Sequence, residues 1–225
     1  MSEIIKIENV KKSFGKNESR TEVLRGIDLS IEKGDFVSLM GASGSGKSTL
    51  LYLIGGLDRE FEGNIFIDGK NIRELKEKEM SKLRLNKTGF IFQFYNLVQN
   101  LSVEDNIMLP VVMSGKNVKE YSKKMEEILK ITDLSDKRRS KPSQLSGGQQ
   151  QRAAVARAIL NEPEILLADE ATGNLDSAAG DEIMSLFKRI NEEKGITILQ
   201  VTHSEKCALY SKKTVRIENG KISTE

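Results

Sequence analysis

The run GASGSGKS, Gly41 to Ser48, sets glycines, a lysine and a hydroxyl in the order that grips a phosphate chain. Gly41, Gly44 and Gly46 let the backbone curl until its N–H groups converge on phosphate oxygens. Lys47 adds a point charge for the β- and γ-phosphates, and Ser48 offers a hydroxyl to Mg2+. The spacing is a complete Walker A pattern, set between a strand-like and a helix-like stretch. It predicts a site for ATP and Mg2+, with Ser43, Ser45 and Thr49 in the same binding set.

A second constellation is ILLADE, Ile165 to Glu170, an apolar strand that ends in adjacent carboxylates. Side chains alternate along a strand, so the two acids are expected to point apart. Asp169 then holds Mg2+ through water. Glu170 turns to the attacking water, orienting it and drawing off part of its proton, an effect worth about 10²–10⁴ in rate. A solvated strand end is the plainer alternative. His203, the one histidine, follows the apolar run ITILQVT and should emerge at the same sheet edge, where it can bond the γ-phosphate. Gln93, at the end of FIFQ, can reach Mg2+ or the attacking water, although alone it would pass for a surface glutamine. Phe14 offers a flat face to adenine, or fills a core. The candidate catalytic set is therefore Glu170, His203, Gln93 and Lys47, with Ser48, Gln93 and Asp169 around the metal.

LSGGQQQRAAVARAIL, Leu145 to Leu160, opens a predicted helix with a Ser-Gly-Gly turn. Bare N–H groups and the helix dipole there favour an anion, with Ser146, Gly147, Gly148 and Gln149 as contacts. One modest chain thus carries two anion-binding helix starts, far apart in sequence.

These residues need elements to hold them. IIKIENV, IDLSIEKG and NIFIDGK alternate apolar and polar residues, as half-buried strands do. Asp35 to Met40 is a short apolar strand feeding the glycine loop, and Leu50, Leu51, Leu53 and Ile54 follow a helical period until Gly55-Gly56. From about Tyr95 to Leu160 the pattern is mostly helical, with Met125, Ile128, Leu129 and Thr132 on one face. Strand and helix then alternate, Ile183, Leu186, Phe187 and Ile190 lining a helix, and TVRIENGKIS closes as a hairpin at Asn219-Gly220. The expectation is an α/β fold: a P-loop NTPase core with a mainly parallel sheet, an N-terminal antiparallel β layer and an inserted helical subdomain. Residues 1–225 form a single domain, with 1–94 and 161–225 as core and about 95–160 as the insert.

The 225 residues suffice for a sizeable core, and a net charge of +2 argues against a dedicated nucleic-acid binder. Lys137, Arg138 and Arg139 read as a solvated helix end. One cysteine, Cys207, rules out an intrachain disulfide and fits a reducing compartment as a buried, idle thiol. MSEIIKIENV lacks the basic start and long apolar core of a secretion signal, and no apolar run approaches the roughly 18–20 residues of a spanning helix. Any membrane role is expected to come from a separate chain.

The ordered set Phe14, GASGSGKS, Gln93, LSGGQ, ILLADE, GNLD and His203 resembles the nucleotide-binding subunit of an ABC transporter over almost the whole chain. The resemblance implies a D-loop at Asn174, Leu175 and Asp176 and a switch role for His203. It also implies a head-to-tail dimer, in which Ser146, Gly147 and Gly148 of one copy meet the γ-phosphate held by the other copy's Lys47. The second anion cradle is then a half-site for the partner. FIFQFYNLVQNLSVEDNIMLP and LADEATGNLDS are similar to the lipoprotein-release, macrolide-export and antimicrobial-peptide-resistance branch. That branch implies a separate transmembrane permease, a cytoplasmic place on the inner face of the membrane, and a hydrophobic or peptide cargo exported or extracted. Mechanotransmission to an extracytoplasmic process is the alternative. Part of Phe94 to Leu101, with Tyr95 and Leu97, is implied to line a groove for a permease helix, the alternative being core packing. Relatives carry proline where this chain has Ala171; its loss restores an N–H and is expected to loosen that corner without abolishing hydrolysis. Chromosome-maintenance ATPases share the signature but need a long coiled-coil insertion, absent here. Translation-factor relatives carry two cassettes where this chain has one.

Overall fold

The computed structural model describes residues 2–15 and 20–223. β1 (Glu3–Phe14) and β2 (Thr21–Glu32) pair antiparallel. β3 (Phe36–Met40), buried throughout, feeds the glycine loop and α1 (Lys47–Ile54). β4 (Glu62–Ile67) and β5 (Lys70–Asn71) return to the first sheet, whose order is β2-β1-β4-β5. α2 (Glu77–Lys87) had no visible period in the sequence, because it is highly charged and buries only Met80 and Leu83. β6 (Thr88–Ile91) precedes the helices α3 (Val103–Met113), α4 (Ser122–Ile131) and α5 (Gly147–Ile159). Then come β7 (Ile165–Asp169), α6 (Ser177–Lys194), β8 (Thr197–Val201) and α7 (Glu205–Ala208). β9 (Lys213–Glu218) and β10 (Lys221–Ser223) form the closing hairpin, with Asn219 and Gly220 both at positive φ as such a turn requires.

The second sheet runs β10-β9-β3-β8-β7-β6, parallel throughout except for the β9–β10 hairpin. Its central strands β3, β7 and β8 are buried throughout and mostly apolar, as parallel strands covered on both sides must be. Ile165 and Leu167 of β7 and Leu199 and Val201 of β8 pack with α1 and the antiparallel layer. Leu166, Ala168 and Ile198, one residue out of phase, pack with α3, α4, α5 and α6. The inserted helices therefore share one apolar cluster with a face of the sheet.

All the parallel strands end at one edge. There β3 passes into Gly41, β7 ends in Asp169, β8 leads to His203, and β6 leads to Gln93. β3 has β8 and β9 on its two sides, both later in the chain, so the glycine loop opens at a point where the strand order reverses.

The helical stretch expected from Tyr95 begins only at Val103; residues 92–102 form no helix. What fixes part of this segment is Asn106, fully buried on α3. Its Oδ1 accepts from the Val98 N–H at 2.7 Å, and its Nδ2 donates to the carbonyls of Val98, Leu101 and Ser102 at 3.0, 3.3 and 3.0 Å. Leu97 plugs the core beneath, at 7% exposure. Asn106→Ala leaves the Val98 N–H and the Leu101 carbonyl without this partner, and should cost about 2 kcal/mol in denaturant unfolding.

Candidate functional site

α1 begins at Gly46, whose φ of 102° turns the chain left-handed and which supplies no side-chain cap. The first N–H groups of the helix are therefore left without helical partners, facing the loop. A Cβ on Gly46 would lie 2.6 Å from Leu24 and 3.1 Å from the Val23 carbonyl oxygen; one on Gly41 would lie 2.2 Å from the Ile217 carbonyl oxygen. The loop is pinched between β2 and β9, and only glycine fits there. Ser43 and Gly44 are exposed at its tip, while Thr49 is half-buried on α1. Lys47 is buried, and its Nζ donates to the carbonyls of Gly41 and Ala42 at 2.9 and 2.8 Å.

Asp169 is buried at the end of β7, with both carboxylate oxygens engaged by hydroxyls of α1. Ser48 Oγ donates to Oδ1 at 2.7 Å, and the Tyr52 phenol donates to Oδ2 at 2.6 Å. Burial, with donation to Asp169, pushes the Tyr52 phenol up to about 12, so it stays a neutral donor. Tyr52 escaped the sequence reading. The available signal was its position four residues after Ser48, on the same helix face.

Glu170 does diverge from Asp169, but not through strand alternation. β7 has already ended, and Glu170 takes a left-handed φ of 45°, unusual for a residue with a side chain. Its N–H donates to the Val201 carbonyl at 3.1 Å and its carbonyl accepts from Gly173 at 2.9 Å, which hold the turn. The turn brings Glu170 Oε1 to 3.4 Å from His203 Nδ1. Ala171 beside it is buried, as is Cys207, whose Sγ lies 3.4 Å from Thr172 Oγ1.

Gln93 lies two residues past the end of β6 and turns to the segment after β7. Its Nε2 donates to Asn174 Oδ1 at 3.4 Å, and Asn174 Nδ2 donates to the Gln93 carbonyl at 3.1 Å. Asp176 caps α6, accepting from Ala179 N–H at 2.9 Å. Phe14 is 46% exposed, with Lys12 Nζ 4.9 Å from its ring centre on one face. It is a surface platform, not a core residue.

Gly41 to Ser48, Asp169, Glu170 and His203 thus share one sheet edge. Ser146, Gly147, Gly148 and Gln149 do not join them. Ser146 caps α5 by accepting from Gln149 N–H at 3.3 Å, and Gln149 Oε1 accepts from Ser146 N–H at 2.9 Å. A Cβ on Gly147 would meet the Tyr95 hydroxyl at 2.8 Å, and one on Gly148 would meet Ala179 at 3.1 Å. Tyr95 is half-buried against the insert, and Leu97 belongs to the core, so the expectation that Leu97 lines a groove is corrected. An apolar groove of about 660 Å³ does lie nearby, walled by Phe90, Phe92, Leu109, Pro110, Met113 and Arg157. Met113 is 78% exposed at its rim. The Arg157 guanidinium donates to the carbonyls of Asn96 and Tyr95 at 2.5 and 3.0 Å, and burial lowers its pKa.

The arrangement suits a nucleoside polyphosphate. Among the described residues, Ser45 Oγ is a buried hydroxyl without a protein partner inside the glycine loop. Ser48 gives its proton to Asp169 and so keeps lone pairs for a cation. One hydroxyl and one carboxylate are hard oxygen donors of the kind that Mg2+ takes, together with phosphates and water. No cluster of three or more metal-ligating side chains occurs among the described residues, which such a shared site does not need.

A family model described as ABC transporter matches residues 24–173. The lipoprotein-releasing system ATP-binding protein LolD of Aquifex aeolicus is 47% identical over 225 residues, covering 100% of this chain and 98% of that protein. The macrolide export ATP-binding/permease protein MacB of Mannheimia succiniciproducens is 45% identical over 97% of this chain, which spans only 34% of that longer protein. Among solved structures, the dimeric post-hydrolysis state of the ATP-binding cassette MJ0796 bound to ADP and Pi aligns with a TM-score of 0.89 at 41% identity. That match covers 98% of this chain and 97% of the other, a protein of Methanocaldococcus jannaschii.

Gly46→Ala tests the pinched loop. Its left-handed φ and the contacts with Val23 and Leu24 leave no room for a methyl group, so the loop must open. ATP affinity should fall at least about tenfold, a loss of about 1.4 kcal/mol, while circular dichroism keeps the wild-type spectrum.

Proposed function

The chain belongs to the ABC transporter family of ATP-binding cassettes, and on that premise we propose that it hydrolyses ATP to drive a separate membrane permease. The observation that carries this reading is the grip of Ser48 on Asp169 beside an uncapped helix start, with Glu170 and His203 at the same edge. In this reading Gly41, Ser43, Gly44, Ser45, Gly46 and Thr49 hold the phosphates and Lys47 exchanges its loop carbonyls for the β- and γ-phosphates. Phe14 stacks on adenine with the face that Lys12 leaves open. Ser48, Asp169 and Gln93 would hold Mg2+, Ser48 by its hydroxyl and Asp169 through water. Mg2+, when bound, neutralises phosphate charge. Glu170 orients the attacking water and takes its proton, and His203, within reach of Glu170, senses the γ-phosphate.

The position of α5 supports the dimer. Its N-terminus is engaged only with its own cap and its neighbours, so Ser146, Gly147, Gly148 and Gln149 are a half-site for the nucleotide of a second copy. Asp176 of the D-loop, the cap of α6, belongs to the same proposed joint. Two ATP molecules then lie at one two-fold interface. The division into a nucleotide-binding core (1–94 and 161–225) and a signature-bearing insert (about 95–160) belongs to this reading.

The permease is read as docking in the groove of Phe90, Phe92 and Met113, with a short amphipathic helix that carries a carboxylate toward Arg157. No helix among the described residues is long and apolar enough to cross a membrane. That fits a peripheral place at the inner membrane face, with cargo, hydrophobic or peptide, chosen by the permease. No nucleic acid takes part.

Glu170→Gln should keep ATP binding and lower steady-state turnover by about 10²-fold or more. With ATP, but not ADP, the same variant should run as a dimer in size-exclusion chromatography with light scattering. Adding Ser146→Arg should return it to monomer with its ATP affinity intact; a monomer that no longer binds ATP would place the signature in its own chain's site. Separately, Met113→Glu should leave ATPase activity of the isolated chain unchanged and abolish its stimulation by the permease, measured in reconstituted vesicles.

A further inference from the structure

Tyr52 stands where two surfaces of the molecule meet, the metal-side carboxylate and the floor of the apolar groove. Its phenol donates to Asp169 Oδ2 at 2.6 Å, and its ring lies 6.5 Å, centre to centre, from Phe92 at an interplanar angle of 54°. Phe92 in turn stacks on Phe90 at 5.7 Å and 7°, and both of those rings wall the groove. Phe92 also directly precedes Gln93. A short aromatic row therefore runs from the groove to Asp169.

The geometry of α1 explains why a tyrosine can do this. Ser48 and Tyr52 share a helix face, about one turn apart, so Tyr52 begins about 6 Å farther from the phosphate end. Helical side chains lean back toward the N-terminus, and the length of a phenol covers that distance. Its hydroxyl and that of Ser48 thus converge on opposite oxygens of one carboxylate. Ser48 must also serve the cation, whereas the Tyr52 hydroxyl has no second partner among the described residues and is free to fix the carboxylate rotamer in either state.

We propose that Tyr52 is a positioning residue: its hydroxyl sets the orientation of Asp169 toward Mg2+, and its ring makes that orientation responsive to Phe92 in the groove. The proposal rests on the reading of Asp169 as the metal-side carboxylate and deepens it. A carboxylate held by one hydroxyl instead of two samples more rotamers and offers the cation less, as happens when outer partners of a metal ligand are removed.

The test is Mg2+-dependent binding of ADP to the full chain, followed by calorimetry, for the wild type, Tyr52→Phe and Asp169→Asn. Tyr52→Phe should leave ADP affinity in EDTA unchanged and raise the Mg2+ concentration for half-maximal enhancement by about tenfold. Asp169→Asn should abolish the enhancement. If Asp169→Asn responds to Mg2+ like the wild type, the underlying reading of the metal site fails. If Asp169→Asn loses the response and Tyr52→Phe keeps it, Tyr52 does not position the carboxylate. A fall in EDTA affinity for Tyr52→Phe equal to its fall in Mg2+ would mean a loop-wide structural effect and likewise overturn the proposal. The ring contact has its own measurement, ¹⁹F NMR of 3-fluorotyrosine-labelled chain with the Tyr52 signal assigned through Tyr52→Phe. Phe92→Leu should move that signal and its Mg2+-ADP shift; an unmoved signal would remove the link to the groove.

Discussion

A parallel sheet covered on both faces has nowhere to place polar chemistry except where its strands end. The central strands β3, β8 and β7 of this sheet are buried throughout, with α1 and the antiparallel layer on one side and the helices α3 to α6 on the other. Charged groups along those strands would be buried without partners, at a cost of several kcal/mol each. Asp169 escapes that cost because it is the last residue of β7 and finds two hydroxyl donors across the edge. The glycine loop, Glu170 and His203 obey the same rule from β3, β7 and β8. The site thus lies at a strand edge that the packing leaves available, and the pinched glycines show how tightly the surrounding layers close on it.

Much of this was legible because it repeats along the chain. Alternation marked β1 and β2, continuous apolar runs marked β3, β7 and β8 and with them Asp169 and His203 at their ends, and fixed motif spacing located Lys47 and Ser48. What escaped depends on contacts between distant segments. The reach of Tyr52 to Asp169 needs the docking of α1 beside β7, which no local pattern encodes. Leu97 sits in an irregular segment, where no period separates a core residue from a groove residue; Asn106, on a later helix, decides it. The divergence of Glu170 from Asp169 was expected from strand pleating and arises instead from a left-handed turn held by Val201 and Gly173. Here the right outcome came from the wrong cause.

The two anion-binding helix starts differ in a way that matches their assigned roles. α1 begins with no side-chain cap, so its N–H groups are always ready for phosphate. α5 begins with Ser146 and Gln149 capping one another, which satisfies its end in a free chain. A cap of this kind is worth about 1 kcal/mol. A charge-assisted contact to a phosphate oxygen is worth roughly twice a neutral hydrogen bond, so a nucleotide on a second copy can replace the cap, while a surface without one leaves it in place. On the proposed reading, the self-capped end would stay closed until a nucleotide-loaded partner arrives.

The groove and the nucleotide site then meet through two neighbouring residues of one segment. Gln93 is held on Asn174, away from Asp169, and Phe92 beside it touches the ring that grips Asp169. On the proposed reading, a helix in the groove would bear on Phe92, and nucleotide with Mg2+ on Gln93 and Asp169, so each ligand would bias the position of the same short stretch. Coupling of this kind is reciprocal: whatever factor the groove occupant applies to nucleotide affinity, nucleotide applies to the affinity of the groove. In the same reading, a partner in the groove would sense the phosphates without touching them, through a few packed side chains.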